Sequence, residues 1–477
     1  MLMRSFFERA KISSALLCPW KVFAWFAGIF GLVLAFLTPL FQVPDEPNHA
    51  YRAYQVSRGD LVAEMKGARV GGEVPSSLIY TARTLGALST DKTSRFRMST
   101  LRRLQSQPLN PSARKFVRFP NTALYSPLVY LPQSIGMAVG RLLGVSAPTL
   151  CLFGRICNLL AWVTLVFLAI RITPVYKWLF FVLALMPMSL FIAASLSADA
   201  LTNGLTFLIL ALFLKLGLDP QQGVGKREVL ALLAIAILVP LVKTGYFPIL
   251  LLFFLIPRAK FRSRKMQFYT FGLLAIAALL ASLTWSTYGN VPEYMQAFAT
   301  RLSPVQNADP VRQLQFIVSD IIRYAGILLH TISVQFGNLT HHFVGVLGWL
   351  DVPLSKLMVY FGCGVILFLG LFEARPDINL RWGNKILLAL YAGITSGIIS
   401  TSQYLTWTPV GAPEISGLQG RYFIPIAPAI FILLYNRQLC RITRDKFLSW
   451  IAIASILILF ASTVVALIVR YYDRASF

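Results

Sequence analysis

Long apolar segments separated by short polar ones run through most of this chain. Many of them reach or approach the roughly 20 residues that an α-helix needs to cross a bilayer core. The pattern therefore predicts an all-α polytopic membrane protein with about eleven transmembrane helices. The predicted spans lie near residues 21–41, 148–170, 176–194, 200–218, 229–243, 246–257, 267–287, 354–373, 386–405, 421–436 and 447–469.

Among the short loops of this array, clusters of basic residues occur in alternate loops. Lys226 and Arg227, for example, lie between the predicted spans 200–218 and 229–243. Short loops rich in Lys and Arg stay on the cytoplasmic side of a membrane. The pattern therefore predicts a cytoplasmic N-terminus and an outward position for the loops that contain no Lys or Arg. These outward loops are residues 195–199, 244–246 and 406–420.

Two further apolar segments carry polar interruptions that distinguish them from ordinary spans. Residues 124–143 contain two prolines and Arg141, and a span here would reverse the charge pattern of every later loop. Residues 311–337 carry Asp320 and Arg323 among apolar residues. We therefore expect the first to be a juxtamembrane helix on the outer surface and the second to be a surface or re-entrant helix.

The whole chain, residues 1–477, is predicted to form one transmembrane domain with two polar outer regions. The first region, 42–147, contains the expected juxtamembrane helices, and its part from 42 to 120 carries thirteen Lys or Arg residues and six acids. The second region is 288–353. The basic excess of the first region is suited either to solvent or to anionic headgroups and phosphate-bearing substrates.

Composition agrees with the hydropathy pattern. Of the residues, 56% are hydrophobic and 13% are charged, whereas a soluble chain is typically about a quarter charged. The net charge of +25 does not indicate nucleic acid, because membrane topology accounts for the basic clusters of the short loops. The five cysteines form no CxxC pair, and the four histidines form no zinc-binding pattern.

The strongest candidate for chemistry comes directly after the first predicted span. Asp45 and Glu46 stand between Pro44 and Pro47. If a helix begins near Pro47, His49 lies one turn after Asp45 on the same helix face. A carboxylate at this place can cap the helix, or it can accept a proton from an alcohol as a general base. The local sequence leaves both functions open.

Three other charged residues are predicted to lie on the same outward face. Asp199 can cap the helix that follows it or take part in chemistry. Lys243 is the only basic residue of its outward turn, where it either extends to lipid headgroups or binds a lipid phosphate. Glycines precede and flank Arg421 and let an anion approach it. We expect Lys243, Arg421 and Arg52 to bind the lipid phosphate.

Aromatic and polar residues near these charges are expected to line the substrate site. Trp and Tyr residues at such positions also suit an ordinary membrane-interface belt, so this expectation has a structural alternative. The expected lining residues are His49, Tyr51, Asp351, Trp407 and Tyr422.

Three ordered segments carry a resemblance to a known group of proteins. They are Phe41–Gln55, Gly345–Asp351 and Trp407–Arg421. Together they resemble a bacterial family of predicted membrane proteins of unassigned function that is grouped with GT-C fold glycosyltransferases. The Asp45-Glu46 pair, followed by a helix with Tyr51, is similar to the first outer loop of aminoarabinose transferases and protein mannosyltransferases.

The resemblance implies a GT-C-like bundle in the bacterial inner membrane, with a periplasmic active site. It implies an inverting glycosyltransferase that moves a sugar from a polyprenyl-phosphate-linked donor to a glycan or lipid-linked acceptor. Asp45 matches the catalytic base with Glu46 as its catalytic neighbour, and Asp199 matches the acid of the second outer loop. A divalent metal ion, if one binds, would use Asp45 and Asp199. Membrane lipids are expected partners, and nucleic acid is not.

Two other functions remain open from the sequence. A lipid-linked-glycan flippase would also need basic groups and a polytopic bundle, but it would not need two adjacent acids at the outer surface. A glycan polymerase or ligase with a diphosphate-linked donor would use outer-loop Arg and His residues. Arg323, His341 and His342 are the candidates for that chemistry.

Overall fold

A computed structural model describes residues 18–67, 69–289, 291–294, 308–439 and 445–472. The basic segment before Cys18, expected to be a cytoplasmic tail, lies outside these residues. The predicted cytoplasmic loop residues Arg441 and Arg444 also lie outside them.

The described part of the chain is 72% helical, and its longest helices are apolar enough to cross a membrane. Six described helices have the required length and hydropathy, or seven if one bent pair counts as a span. The protein is therefore a multi-pass membrane protein. The six helices are α1 (Pro19–Leu37), α7 (Ala147–Ile172), α10 (Asp199–Leu218), α12 (Arg264–Tyr288), α16 (Trp382–Trp407) and α18 (Asp445–Tyr471).

The predicted count of about eleven spans is not confirmed, because several predicted spans are short or broken. The segment 176–194 divides into α8 (Lys177–Leu185) and α9 (Pro187–Ala193), since Pro187 has no N–H to continue the first helix. The shorter or irregular elements at other predicted spans are α11 (Lys226–Val242), the 3₁₀ helix Thr244–Leu255, α15 (Lys356–Phe372), the 3₁₀ helix Gly420–Ile426 and α17 (Ala427–Ile432).

The first polar region is folded into short helices and a small antiparallel sheet. The sequence pattern did not predict the sheet. Strands β1 (Glu64–Lys66) and β3 (Arg114–Arg118) both pair with the central β2 (Arg69–Pro75), with Arg118 opposite Gly71. The helices of this region are α2 (Glu46–Ser57), α3 (Ser76–Gly86), α4 (Met98–Gln105) and α5 (Pro120–Ala123), with a 3₁₀ turn at Ala87–Ser89.

The segment 124–143 forms a 3₁₀ turn, Pro127–Tyr130, and a helix α6, Leu131–Leu142. With twelve residues α6 is about 18 Å long, too short to cross a bilayer core. It buries one face and leaves apolar side chains exposed at helical spacing on the other, as an interfacial helix does. These exposed residues are Leu131, Ile135, Val139 and Leu142.

The segment expected to be a surface or re-entrant helix is bent. Helices α13 (Pro310–Ser319) and α14 (Ile321–Val344) meet at 109°, with Asp320 between them accepting a hydrogen bond from the Arg323 backbone N–H. Two short strands, β4 (Val346–Leu347) and β5 (Val352–Pro353), follow as a hairpin. A 3₁₀ turn at Arg258–Lys260 completes the described elements.

Helix α7 is central to the packing, because α1, α6 and α10 all lie against it. The approach of α6 to α7 is closest at Gly136, where an added Cβ would lie 2.3 Å from the Phe153 carbonyl oxygen. Only glycine lets the two backbones come this close.

We expect Gly136→Ala to destabilise the folded protein by roughly 1–3 kcal/mol, because the methyl group would force α6 away from α7. Thermal unfolding of the purified protein in detergent measures this effect. The matched control is Gly397→Ala in α16, where nothing lies within 4 Å of an added Cβ. Equal stability of the two variants would contradict the close packing at Gly136.

Candidate functional site

A cavity of about 470 Å³ lies where seven parts of the chain meet. These parts are the start of α2, the segment 121–126, the start of α10, the chain break after α11, the end of α12 with Val291, the end of α16 and the 3₁₀ helix Gly420–Ile426. The polar and aromatic residues that line the cavity include Asp45, His49, Asn121, Tyr125, Asp199, Lys243, Tyr246, Trp285, Gln403, Trp407, Arg421 and Tyr422.

Asp45 faces the cavity from the N-terminus of α2. Its backbone is left-handed (φ 63°), a conformation that Asp tolerates better than most residues. One carboxylate oxygen accepts a hydrogen bond from Asn121 Nδ2 at 3.1 Å, and the other lies 3.9 Å from Arg421 Nη2. The side chain remains 44% exposed, so a substrate can reach it.

Glu46, in contrast, is fully buried and does not line the cavity. Its carboxylate pairs with the guanidinium of Arg155 at 2.7 and 2.8 Å. It also accepts the backbone N–H groups of Phe41 and Leu196. The structure therefore does not place Glu46 in the cavity beside Asp45, as the sequence had led us to expect, and the contacts of its carboxylate hold the surrounding backbone and Arg155.

The Glu46–Arg155 pair joins the two loops that carry the cavity acids. Arg155 donates to three carbonyl groups between Ala35 and Pro39, just before the Asp45 turn. One helical turn further along α7, Asn158 donates to the carbonyl oxygens of Ser195 and Ser197, just before Asp199. Helix α7 thus holds Asp45 and Asp199 in one arrangement.

Asp199 and Lys243 form an ion pair with 2.9 Å between the carboxylate and Nζ. Lys243 is placed there by the break in the chain between α11 and the following 3₁₀ helix. Its ammonium group also lies 5.7–6.0 Å from the ring centres of Tyr125, Tyr246 and Tyr422, within cation–π range. Three rings and one carboxylate therefore hold a cation at the cavity wall.

Arg421 enters the cavity because Gly420 packs directly on the end of α14. An added Cβ at Gly420 would lie 1.9 Å from the Leu339 carbonyl oxygen. Arg421 is 6% exposed and stacks its guanidinium beside the Tyr422 ring. Among the described residues, Arg421 is the ion-pair partner of Asp45.

His49 lies one turn after Asp45 and lines the cavity, as predicted. Its Nδ1 is 2.8 Å from the hydroxyl of the buried Tyr130. Burial lowers the pKa of His49, although Asp45 and Asp199 act in the opposite direction. Burial therefore favours the neutral imidazole.

Three predicted site residues lie outside the cavity. Arg52 is buried and donates to Gln55 and the carbonyl oxygen of Leu61, so it does not face a lipid phosphate. Tyr51 is buried away from the cavity, and burial raises its pKa to about 12. Asp351 pairs with Arg470 of α18 at 2.7 Å. The structure therefore does not bring these three residues to the cavity: nearby partners hold Arg52, and the distant Arg470 holds Asp351.

Two other predicted lining residues, Trp407 and Tyr422, do face the cavity. Asn121, Tyr125, Tyr246 and Trp285 also line it and were not predicted. Trp285 closes the cavity from the end of α12 and donates its indole N–H to the Leu124 carbonyl oxygen at 3.1 Å. The Phe-Pro-Asn-Thr string at 119–122, a turn before an apolar segment, was the only sequence signal for Asn121.

The residues that kept the diphosphate-linked alternative open do not line the cavity. Arg323 lies over the ring of Phe316, and His341 and His342 are at the end of α14. The part of the chain that the structure describes also contains no group of three His, Cys, Asp or Glu residues able to hold a metal ion. Asp45 and Asp199 each face a cation of the protein instead.

The cavity lining combines charged and apolar side chains. Four charged groups line it, and so do apolar residues that include Pro240, Leu241, Phe247 and Ile398. Ile398 and Trp407 are nine residues apart on α16, so the cavity wall extends about 13 Å along a helix able to span the membrane. This shape suits an amphiphile with an anionic head.

Comparison with known protein families identifies the family of this chain. A family model described as "Predicted membrane protein (DUF2142)" matches residues 28–430. The chain belongs to the DUF2142 family. This family has no assigned function, and its match includes every charged residue of the cavity. No curated protein and no solved structure is detectably similar to the chain.

Loss of charge should affect the stability of this DUF2142 protein differently at its two adjacent acids. Glu46→Gln leaves the buried Arg155 without its counter-ion, so we expect a loss of roughly 3–5 kcal/mol of stability and little folded protein. Asp45→Asn removes a charge from a half-exposed position whose left-handed backbone suits Asn, so folding should be unchanged. Size-exclusion chromatography and thermal unfolding in detergent measure both. A stable Glu46→Gln protein would contradict the structural role.

Proposed function

We propose that this protein is an inverting glycosyltransferase that uses a polyprenyl-phosphate-linked sugar as donor and a glycan or lipid-linked hydroxyl group as acceptor. The observation that carries the proposal is the partly exposed carboxylate of Asp45, which stands beside Arg421 in a cavity lined by both charged and apolar side chains.

The position of Asp45 supports its function as a general base. Asn121 and Arg421 orient its two oxygens, yet neither contact is the close double hydrogen bond that ties up Glu46. A carboxylate with an accessible oxygen can accept a proton from an alcohol in the transition state.

The charge and shape of the cavity support a lipid-linked donor. Lys243 and Arg421 supply positive charge for a phosphate, and the apolar part offers a surface for a hydrocarbon chain. Each cation is already paired with an acid, so the net charge of the cavity lining is close to zero. A phosphate would therefore share these cations with Asp199 and Asp45 rather than meet a free positive charge.

In the proposed reaction, an acceptor hydroxyl donates a hydrogen bond to Asp45. The oxygen attacks the anomeric carbon of the donor sugar, its proton passes to Asp45, and the bond from that carbon to the phosphate oxygen breaks on the opposite face. The products are the new glycoside, with inverted configuration, and polyprenyl phosphate, whose charge is stabilised by Lys243 and Arg421. General-base assistance typically contributes roughly 10²–10⁴-fold.

The proposal also extends to fold and location. It places the family with the GT-C glycosyltransferases, with the shorter helices adding to the six long ones to give about eleven membrane-crossing elements. It assigns the cavity to the periplasmic face of a bacterial inner membrane, because Asp199 lies in an outward loop of the charge pattern and Lys243 and Arg421 directly adjoin the other two. Cysteine accessibility labelling of single-cysteine variants in these loops would test the orientation.

Asp45→Asn should lower transfer by at least 100-fold, because the amide cannot accept the proton. The assay uses purified protein in vesicles with a polyprenyl-phosphate-linked sugar and measures release of lipid phosphate. The matched control is Asp60→Asn, an acid of the same region that lies outside the cavity and pairs with Arg58. Wild-type transfer by Asp45→Asn would reject Asp45 as the base.

Lys243→Gln should weaken donor binding by roughly 10-fold or more, because a phosphate loses one charge-assisted contact. The dissociation constant for polyprenyl phosphate measures this effect, and Lys66→Gln on the exposed β1 strand is the control. Assays with monophosphate-linked and diphosphate-linked sugars, run separately, identify the donor class. Transport of a lipid-linked glycan across the vesicle without release of lipid phosphate would support a flippase instead.

A further inference from the structure

The buried His49–Tyr130 pair has no part in the proton transfer described above. His49 Nδ1 and the Tyr130 hydroxyl are 2.8 Å apart, and the Tyr130 side chain is fully buried. This is the one recorded polar contact of that hydroxyl among the described residues. The Tyr130 hydroxyl therefore depends on His49 Nδ1 for its hydrogen bond.

The environment of Tyr130 determines which group donates. Burial raises the pKa of the Tyr130 hydroxyl well above its usual value, so the hydroxyl keeps its proton. If that proton points to His49, Nδ1 accepts a hydrogen bond from the hydroxyl, and both groups have a partner. If Nδ1 carried the hydrogen instead, the Tyr130 hydrogen would be buried without an acceptor, which is unfavourable.

The remaining imidazole nitrogen faces the reaction site. His49 lines the cavity, and Nε2 makes no recorded contact with another described residue and is not among the buried atoms that lack a partner. His49 also follows Asp45, the N-cap of α2, by four residues, and both side chains line the cavity. An N–H at Nε2 would therefore point to a ligand that has reached Asp45.

We propose that Tyr130 holds His49 as the neutral Nε2–H tautomer, and that this N–H donates a hydrogen bond to an oxygen of the substrate group that reacts at Asp45. The tautomer assignment follows from the hydrogen-bond geometry of His49 and Tyr130 alone, whereas the substrate contact rests on the proposed function.

A neutral donor suits the charges that surround it. Asp45, Asp199 and Glu46 favour a protonated imidazole, whereas Arg421 and burial oppose it. A charged imidazolium would attract the Asp45 carboxylate and weaken it as a base. The neutral N–H can position a hydroxyl or sugar oxygen and leave Asp45 available to accept the proton.

The tautomer can be measured without any activity assay. The chain contains four histidines, so ¹⁵N-histidine labelling followed by solid-state NMR of the protein in lipid vesicles gives few signals. The signal lost in His49→Gln identifies His49. We expect it to show the Nε2–H tautomer at pH 7 and to become a mixture of tautomers in Tyr130→Phe. An Nδ1–H or doubly protonated His49 in the wild type would overturn the proposal.

The substrate contact is tested by two amide substitutions at the same position. The Gln amide nitrogen can occupy the place of Nε2, whereas the shorter Asn can reach only the place of Nδ1. We expect His49→Gln to keep transfer within about threefold of the wild type, and His49→Asn to lose roughly 10-fold in kcat/KM, as for one lost hydrogen bond. Thermal unfolding of both variants reports whether they fold equally well.

Equal losses in the two variants, with equal stability, would overturn the contact at Nε2. A wild-type protein with no transferase activity would overturn the proposed function and this contact together. The NMR result would still decide the tautomer in that case, so the two failures are distinguishable.

Discussion

The buried ion pair between Glu46 and Arg155 is the interaction on which the geometry of the cavity depends. The two residues are 109 positions apart in sequence, and both side chains are fully buried. A charged pair in such a place is stable only if its remaining polar groups are also satisfied. Here Arg155 makes five hydrogen bonds and Glu46 accepts four.

This pair explains how a strained turn can present a catalytic candidate. Phe41 and Asp45 both have positive φ values, and the Glu46 carboxylate closes the turn by accepting the Phe41 N–H. The Trp349 indole supports the same turn by donating to the Phe41 carbonyl oxygen at 2.8 Å. Residues held in such conformations persist only where their surroundings fix them, and they cluster at functional sites.

The cavity combines opposite charges rather than one sign. Asp199 with Lys243, and Asp45 with Arg421, give two acids and two bases around one space. Neutral pairing lowers the cost of placing these charges beside an apolar surface, while each pair can still reorganise around an anionic ligand. A cavity with free cations would attract many anions, whereas this one favours a ligand that satisfies its charged and its apolar lining together.

The sequence by itself determined the membrane class, the largely helical character of the chain and the candidacy of Asp45, Asp199, Lys243 and Arg421. Hydropathy and charge act residue by residue through partition between water and lipid, so they can be read locally. Only the tertiary structure decided that Glu46 is buried, that Arg52, Tyr51 and Asp351 face away from the cavity, and that Asn121 and Tyr130 support it. Those outcomes depend on partners distant in sequence, and neighbours such as Asp45 and Glu46 point in opposite directions because the fold, rather than their side-chain chemistry, sets which one meets Arg155.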